Sequence, residues 1–146
     1  MNKLISILLI SLWSVTVHAQ EKTAEQLVSS KKKADMTYQQ LMEMMGTAST
    51  TIHEGVLREN KHMVKEGANY ILNHPAPRHK PWTIMEQTDQ QDFKQSLLAF
   101  DAILDTHARA IIAAVERSDW QAANQAAADL SSACITCHVM WKSKVK

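Results

Sequence analysis

The sequence predicts an all-α fold, an up-down-up-down antiparallel four-helix bundle, on three observations. Glycine is scarce, with Gly46, Gly55 and Gly67 the only three in the chain. All three prolines, Pro75, Pro77 and Pro81, fall in one short stretch, so helix-breaking backbone is confined to a single loop. Apolar residues recur three and four apart over long segments. Strictly alternating β-branched runs are absent, so no strand is expected.

The first helix is expected from about Thr23 to Glu59, with Tyr38, Leu41, Met42, Met45, Ile52 and Val56 at helical spacing. Asn60 reads as the N-cap of a shorter second helix carrying Met63, Val64, Ala68, Ile71 and Leu72, which ends before His74-Pro75. The loop "HPAPRHKPW" follows. A third helix begins near Asp89, with an apolar stripe of Phe93, Leu97, Phe100, Leu104, Ile111 and Val115. His107 falls within that stripe and is expected to be buried, satisfied by a neighbour such as Asp105. Ser118 and Asp119 make a tight turn and cap. The fourth helix is alanine-rich from Trp120 to Ala133 and carries "CITCH" near its end. Short connections of this kind favour antiparallel neighbours.

The N-terminus predicts the compartment. Asn2 and Lys3 precede the apolar run "LISILLISLWSVTV", and "HAQ" follows. A positive start, an apolar stretch and small residues before a break describe a secretory signal peptide. Residues 1–19 are expected to be cleaved after Ala19, and 20–146 to form one domain in the periplasm. The run falls short of the ~20 apolar residues of a spanning helix, so no stable membrane span is expected.

Charge excludes some partners. The whole chain carries a formal net charge of +1, and loss of Lys3 with the leader brings it to zero. Nucleic-acid binding would call for a basic stripe. "KKK" at 31–33 reads as a solvated helix face. No catalytic triad, carboxylate pair or phosphate-binding glycine loop is present, so no enzymatic activity is expected.

The only two cysteines are Cys134 and Cys137, with His138 directly after. C-x-x-C-H is the attachment sequence of c-type haem. Two thiols must reach the two vinyl groups of one macrocycle, and positions i and i+3 of a helix lie on one side of it. The following histidine supplies a proximal iron ligand. A redox dithiol would want a βαβ context. A structural zinc site would want four protein ligands, and no second Cys/His pair at comparable spacing exists. A lone disulfide would leave His138 without a role. One covalently bound haem c, held by Cys134 and Cys137 with His138 on the iron, is therefore expected.

A four-helix chain with this motif near its end, followed by Trp141 and Lys142, resembles the class II cytochromes c, the cytochrome c′ and cytochrome c556 group. "YQQLMEMMG" in the first helix is similar to the first-helix segment of the low-spin c556-type members, where a methionine is the sixth iron ligand. The resemblance implies Met42 as that distal ligand. An arginine common one turn earlier is replaced here by Tyr38. The resemblance also implies a tendency to homodimer formation through the first two helices.

Counting residues from the turns is compatible with Met42. His138 lies roughly 30 Å from the turn at Ser118, and Met42 roughly 25 Å from the turn near Glu59, at about 1.5 Å per residue. His53, His62 and His107 fall too near those turns. Met36, His74, His79 and an open sixth position remain alternatives to Met42, and His74 with His79 could hold a second metal. Trp82 and Trp141 are expected to pack on the macrocycle or as core aromatics.

Histidine–methionine ligation implies a periplasmic electron carrier that meets a redox partner protein near the loop at 74–82. An open sixth position implies a five-coordinate protein that binds or senses diatomic gases such as nitric oxide.

Overall fold

The computed structural model describes residues 23–146, and the expected leader at 1–19 lies outside them. The fold is all-α. Among the described residues, five α-helices run in the order α1 (Ala24–Ser30), α2 (Tyr38–Leu57), α3 (Lys61–Asn73), α4 (Gln90–Glu116) and α5 (Trp120–Trp141). Short 3₁₀ turns occupy Pro81–Ile84 and Lys142–Lys144.

The expected single helix from Thr23 to Glu59 is instead two, broken across residues 31–37. The reason is local. Thr23 and Thr37 each accept a hydrogen bond from the backbone three residues on, at Gln26 and Gln40, whose side chains bond back to the threonine N–H. Such reciprocal boxes mark helix starts. The pattern T-x-x-Q at 23 and again at 37 carried that signal. The break also turns Lys31 inward to Asp101, at 3.0 Å, so "KKK" is not one solvated helix face.

A second correction concerns strands. Two two-residue strands, β1 (Lys33–Ala34) and β2 (Ala76–Pro77), pair in parallel. Neither has any alternation to read. They exist because the α1–α2 break and the proline loop lie side by side.

Asn60 caps α3 as expected, its side chain accepting from the His62 and Met63 amides. Asp119 caps α5 through Ala122. Glu59 and Ser118 hold positive φ, 51° and 58°, and so turn the chain within three residues between α2 and α3 and between α4 and α5.

Helix α2 packs on α3, α3 on α4, α4 on α5, and α5 returns to α2. Leu41, Ile52, Val64, Ile71, Ile111 and Leu130 lie in the core they share. Each such side chain contributes about 1.5–3 kcal/mol on burial. The α2–α3 contact is backbone to backbone: a Cβ on Gly67 would lie 2.6 Å from the Ala48 carbonyl oxygen and 2.8 Å from Ile52 Cγ1.

A second core gathers Ala24, Trp82, Met85, Phe93 and Trp141. Phe93 meets Tyr38 and Trp141 edge-on, with centroids at 6.1 Å and 5.3 Å. The C-terminal tail closes over it, with Val145 bridged to Met85 and the Lys146 amide donating to the Ile84 carbonyl. Among the described residues no helix is long and apolar enough to cross a membrane.

Candidate functional site

Between α2, α5 and the loop after α3 lies a cavity of about 300 Å³, at the lower end of the ~300–1,000 Å³ usual for small-molecule and cofactor sites. Helix α5 brings Cys134, Cys137 and His138 to it, and α2 brings Met42 from across the gap. Leu41, Met45, Leu97, Phe100, Leu104 and Ala133 supply apolar wall. The proline loop contributes Ala76, Pro77 and Pro81, so it folds over this cavity.

Helical spacing explains the α5 contribution. The helix continues through the motif to Trp141, so residues 134, 137 and 138 share one side. Both cysteines are free and half-buried. Burial raises both thiols above their ordinary value, the reverse of the lowered pKa that makes a reactive exchange thiol. His138 is exposed at the cavity. Ile135 also lines it while remaining 62 % exposed.

Opposite, α2 presents its first turns. Tyr38, Met42, Met45, Gly46 and Ser49 line the cavity at i, i+4, i+7, i+8 and i+11, the spacing of one helix face. A Cβ placed on Gly46 would meet nothing within 4 Å. This glycine therefore leaves space in the wall one turn beyond Met42. Burial is the main cause that raises the Tyr38 phenol, with Cys137 adding to it, so it remains neutral.

A charged cluster closes one edge. Lys31 Nζ lies 2.9 Å from His74 Nε2 and 3.0 Å from Asp101 Oδ1. His74 Nδ1 lies 2.9 Å from the Pro75 carbonyl oxygen. An Nδ1–H donated to that carbonyl leaves Nε2 to accept from Lys31. Burial pushes the Asp101 carboxyl up, but the neighbouring His74 and Lys31 outweigh it and leave it below its ordinary value.

These positions sort the residues named from sequence. Cys134, Cys137, His138, Met42 and His74 come together at one cavity. Met36 packs against the main core instead, and His79 is exposed on the loop. Among the described residues no group of three or more His, Cys, Asp or Glu could hold a metal ion, and His74 is engaged by Lys31. Contrary to expectation, His107 is only half-buried, and Asp105 faces Arg109 at 3.7 Å. The α4 stripe curves past position 107 towards solvent, and Ala108 takes the core place. His53 reaches Ser131 on α5 at 2.9 Å. Trp82 and Trp141 belong to the second core and are not among the cavity's lining residues. Reasoning from sequence missed Lys31 and Asp101. Their partnership joins segments 70 residues apart, and only the α1–α2 break brings them together.

Comparisons with protein-family models, with curated proteins and with solved structures return no match.

Proposed function

We propose that this chain is a monohaem c-type cytochrome of the class II kind, an up-down-up-down antiparallel four-helix bundle that carries electrons in the periplasm. One observation carries the reading: a single, mainly apolar cavity gathers Cys134, Cys137 and His138 from α5 and faces them with Met42 from α2.

The donor set fits haem c. Two thiols on one helix face would form thioether bonds to the vinyl groups, and an imidazole from that face with a thioether across the cavity would be the protein donors to the iron. Gly46 leaves room for a flat group beside Met42. Exposed Ile135 is a side chain that a bound macrocycle would cover.

Each residue then has a task. Cys134 and Cys137 would hold the group covalently, with His138 its donor from α5 and Met42 its donor from α2. His74 is the weaker candidate for the sixth position, because ligation through Nε2 would cost its bond to Lys31. Leu41, Leu97, Phe100 and Leu104 exclude water and keep the local dielectric low. When bound, haem c supplies a one-electron couple between ferrous and ferric iron. The chain's contribution would be to keep His138 and Met42 in place beside that group, and no catalytic role is assigned to the chain.

Haem-stained denaturing gels and the ferric spectrum test the proposal together. Wild type should stain and be low-spin with a sulfur-to-iron charge-transfer band. Cys134→Ser with Cys137→Ser should lose the stain, and Met42→Ala should lose the band. Stain that persists in the double variant would overturn covalent attachment. A high-spin wild-type spectrum would overturn the electron-carrier reading in favour of an open, gas-binding position.

A further inference from the structure

We propose that Lys32, Lys33, Arg78 and Lys80 form one cationic shelf beside the cavity and that this shelf docks an acidic face of a partner protein. The inference rests on the cavity's reading as a haem site for its purpose, though not for its geometry.

The shelf is assembled from two distant pieces of chain. Lys33 pairs with Ala76 and Ala34 with Pro77, and the Ala76 amide donates to the Lys32 carbonyl at 2.9 Å. The "KKK" run and the "RHK" of the proline loop are thereby brought side by side. Lys32, Lys33, Arg78, His79 and Lys80 are all exposed.

Charge is left unmatched at these four residues, whereas most basic residues elsewhere, Lys61, Arg117 and Lys142 excepted, face a carboxylate. Lys65, Lys94, Lys144, Lys146, Arg58 and Arg109 each face a carboxylate. Among the described residues no carboxylate pairs with Lys32, Lys33, Arg78 or Lys80. Lys33 only turns its ammonium back to the Val28 carbonyl, at 2.6 Å. Across residues 31–35 and 74–82 the one acid is Asp35. A chain of net charge +1 thus concentrates an excess of positive charge on one spot.

That spot adjoins the cavity. Ala76, Pro77 and Pro81, which bracket Arg78 and Lys80 in sequence, are wall residues. Three prolines, the strand pair and the 3₁₀ turn at Pro81–Ile84 fix the backbone, so the charges are presented on a preorganised surface and docking costs little ordering entropy. Single surface charges stabilise a complex weakly. A cluster of one sign raises the encounter rate of a complementary partner by ~10–10³ and fixes its orientation.

The same features disfavour other macromolecules. Stable nucleic-acid contacts typically neutralise ~6–10 phosphates and stack bases on exposed aromatics, whereas Trp82 in this loop is buried. A basic patch on an anionic membrane is held electrostatically, and firm seating adds exposed apolar side chains that insert. Of the large exposed ones, Leu57, Ile103 and Val139 lie outside these two segments, and Ile135 lines the cavity itself.

Two measurements on the full chain test the shelf. The first titrates a polyglutamate peptide into wild type and into a Lys32→Gln, Lys33→Gln, Arg78→Gln, Lys80→Gln variant, with circular dichroism to confirm folding. Wild type should bind in low salt and the variant about tenfold or more weakly. Equal binding would overturn the proposal. So would wild-type binding to anionic phospholipid vesicles without binding to polyglutamate.

The second follows oxidation of the haem-loaded ferrous protein by ferricyanide and by a cationic cobalt(III) complex. The anionic reagent should slow as ionic strength rises, and the glutamine variant should lose that slope while the cationic reagent speeds up. An unchanged slope in the variant would overturn the shelf's placement beside the cofactor. Chain that never binds haem fails the functional reading alone, and the peptide titration still decides the shelf.

Discussion

Gly67→Ala separates helix propensity from packing, because the two push in opposite directions. Position 67 lies inside α3, where alanine is favoured over glycine by about 1 kcal/mol. The added Cβ would stand 2.6 Å from the Ala48 carbonyl oxygen, 2.8 Å from Ile52 Cγ1 and 3.2 Å from the Ile52 amide nitrogen. Two of those three are backbone atoms of α2, so no side-chain rotation relieves them. The helices must part by several tenths of an ångström along a buried seam. Overpacking of this kind costs about 1–3 kcal/mol, and a backbone obstacle places the cost towards the upper end. The net expectation is a loss of about 1–2 kcal/mol, with a fall in Tm on the order of 5 °C. Urea unfolding followed by far-UV circular dichroism reads both. A variant as stable as wild type, or more so, would refute the backbone-to-backbone contact between α2 and α3.

Other outcomes follow from the same fold. Asp101→Asn should cost about 1.5–3 kcal/mol at neutral pH, the scale of a hydrogen bond to a charged group. Because the folded carboxyl lies below its ordinary value, its contribution is present above the unfolded pKa of about 3.9 and fades as pH falls through the folded pKa. The wild-type and variant stabilities should therefore converge in acid; a gap that stays constant from pH 7 to pH 3 would count against the cluster. Thr37→Ala removes the α2 capping box and should cost about 1 kcal/mol. Faster amide exchange in residues 38–41 should accompany it, and unchanged exchange would place the start of α2 elsewhere.

Long-range periodicity made most of the fold legible in sequence. α3 begins after Asn60, whose side chain caps it, and α4 after Asp89, whose side chain makes no cap bond and faces Lys144 instead; a clear apolar stripe marks both. The α1–α2 break was hidden by that same periodicity, since Leu27, Leu41 and Met45 sit at spacings a single helix also permits. Only the repeated T-x-x-Q marked it. The family resemblance singles out Met42, and counting from the short turns is compatible with it without excluding Met36 or the loop histidines. The Lys31–His74–Asp101 cluster could not be read in advance, because each partner comes from a different segment and no local pattern links them. His107 went astray for a related reason. A stripe followed over 27 residues drifts round its helix, and one position's burial depends on which neighbour reaches that far.

The two tightest turns pair α2 with α3 and α4 with α5, so the molecule is two hairpins laid together, and α2 meets α5 more sparsely than either meets its own hairpin partner. The cavity runs along that thinner joint, with Met42 on one hairpin and the cysteine pair and His138 on the other. Separation of the hairpins is thus the softest way for the molecule to open. A group bonded to one side and ligated from the other would act as a rivet across the joint. Occupancy of the cavity and resistance to unfolding would then rise and fall together by mass action.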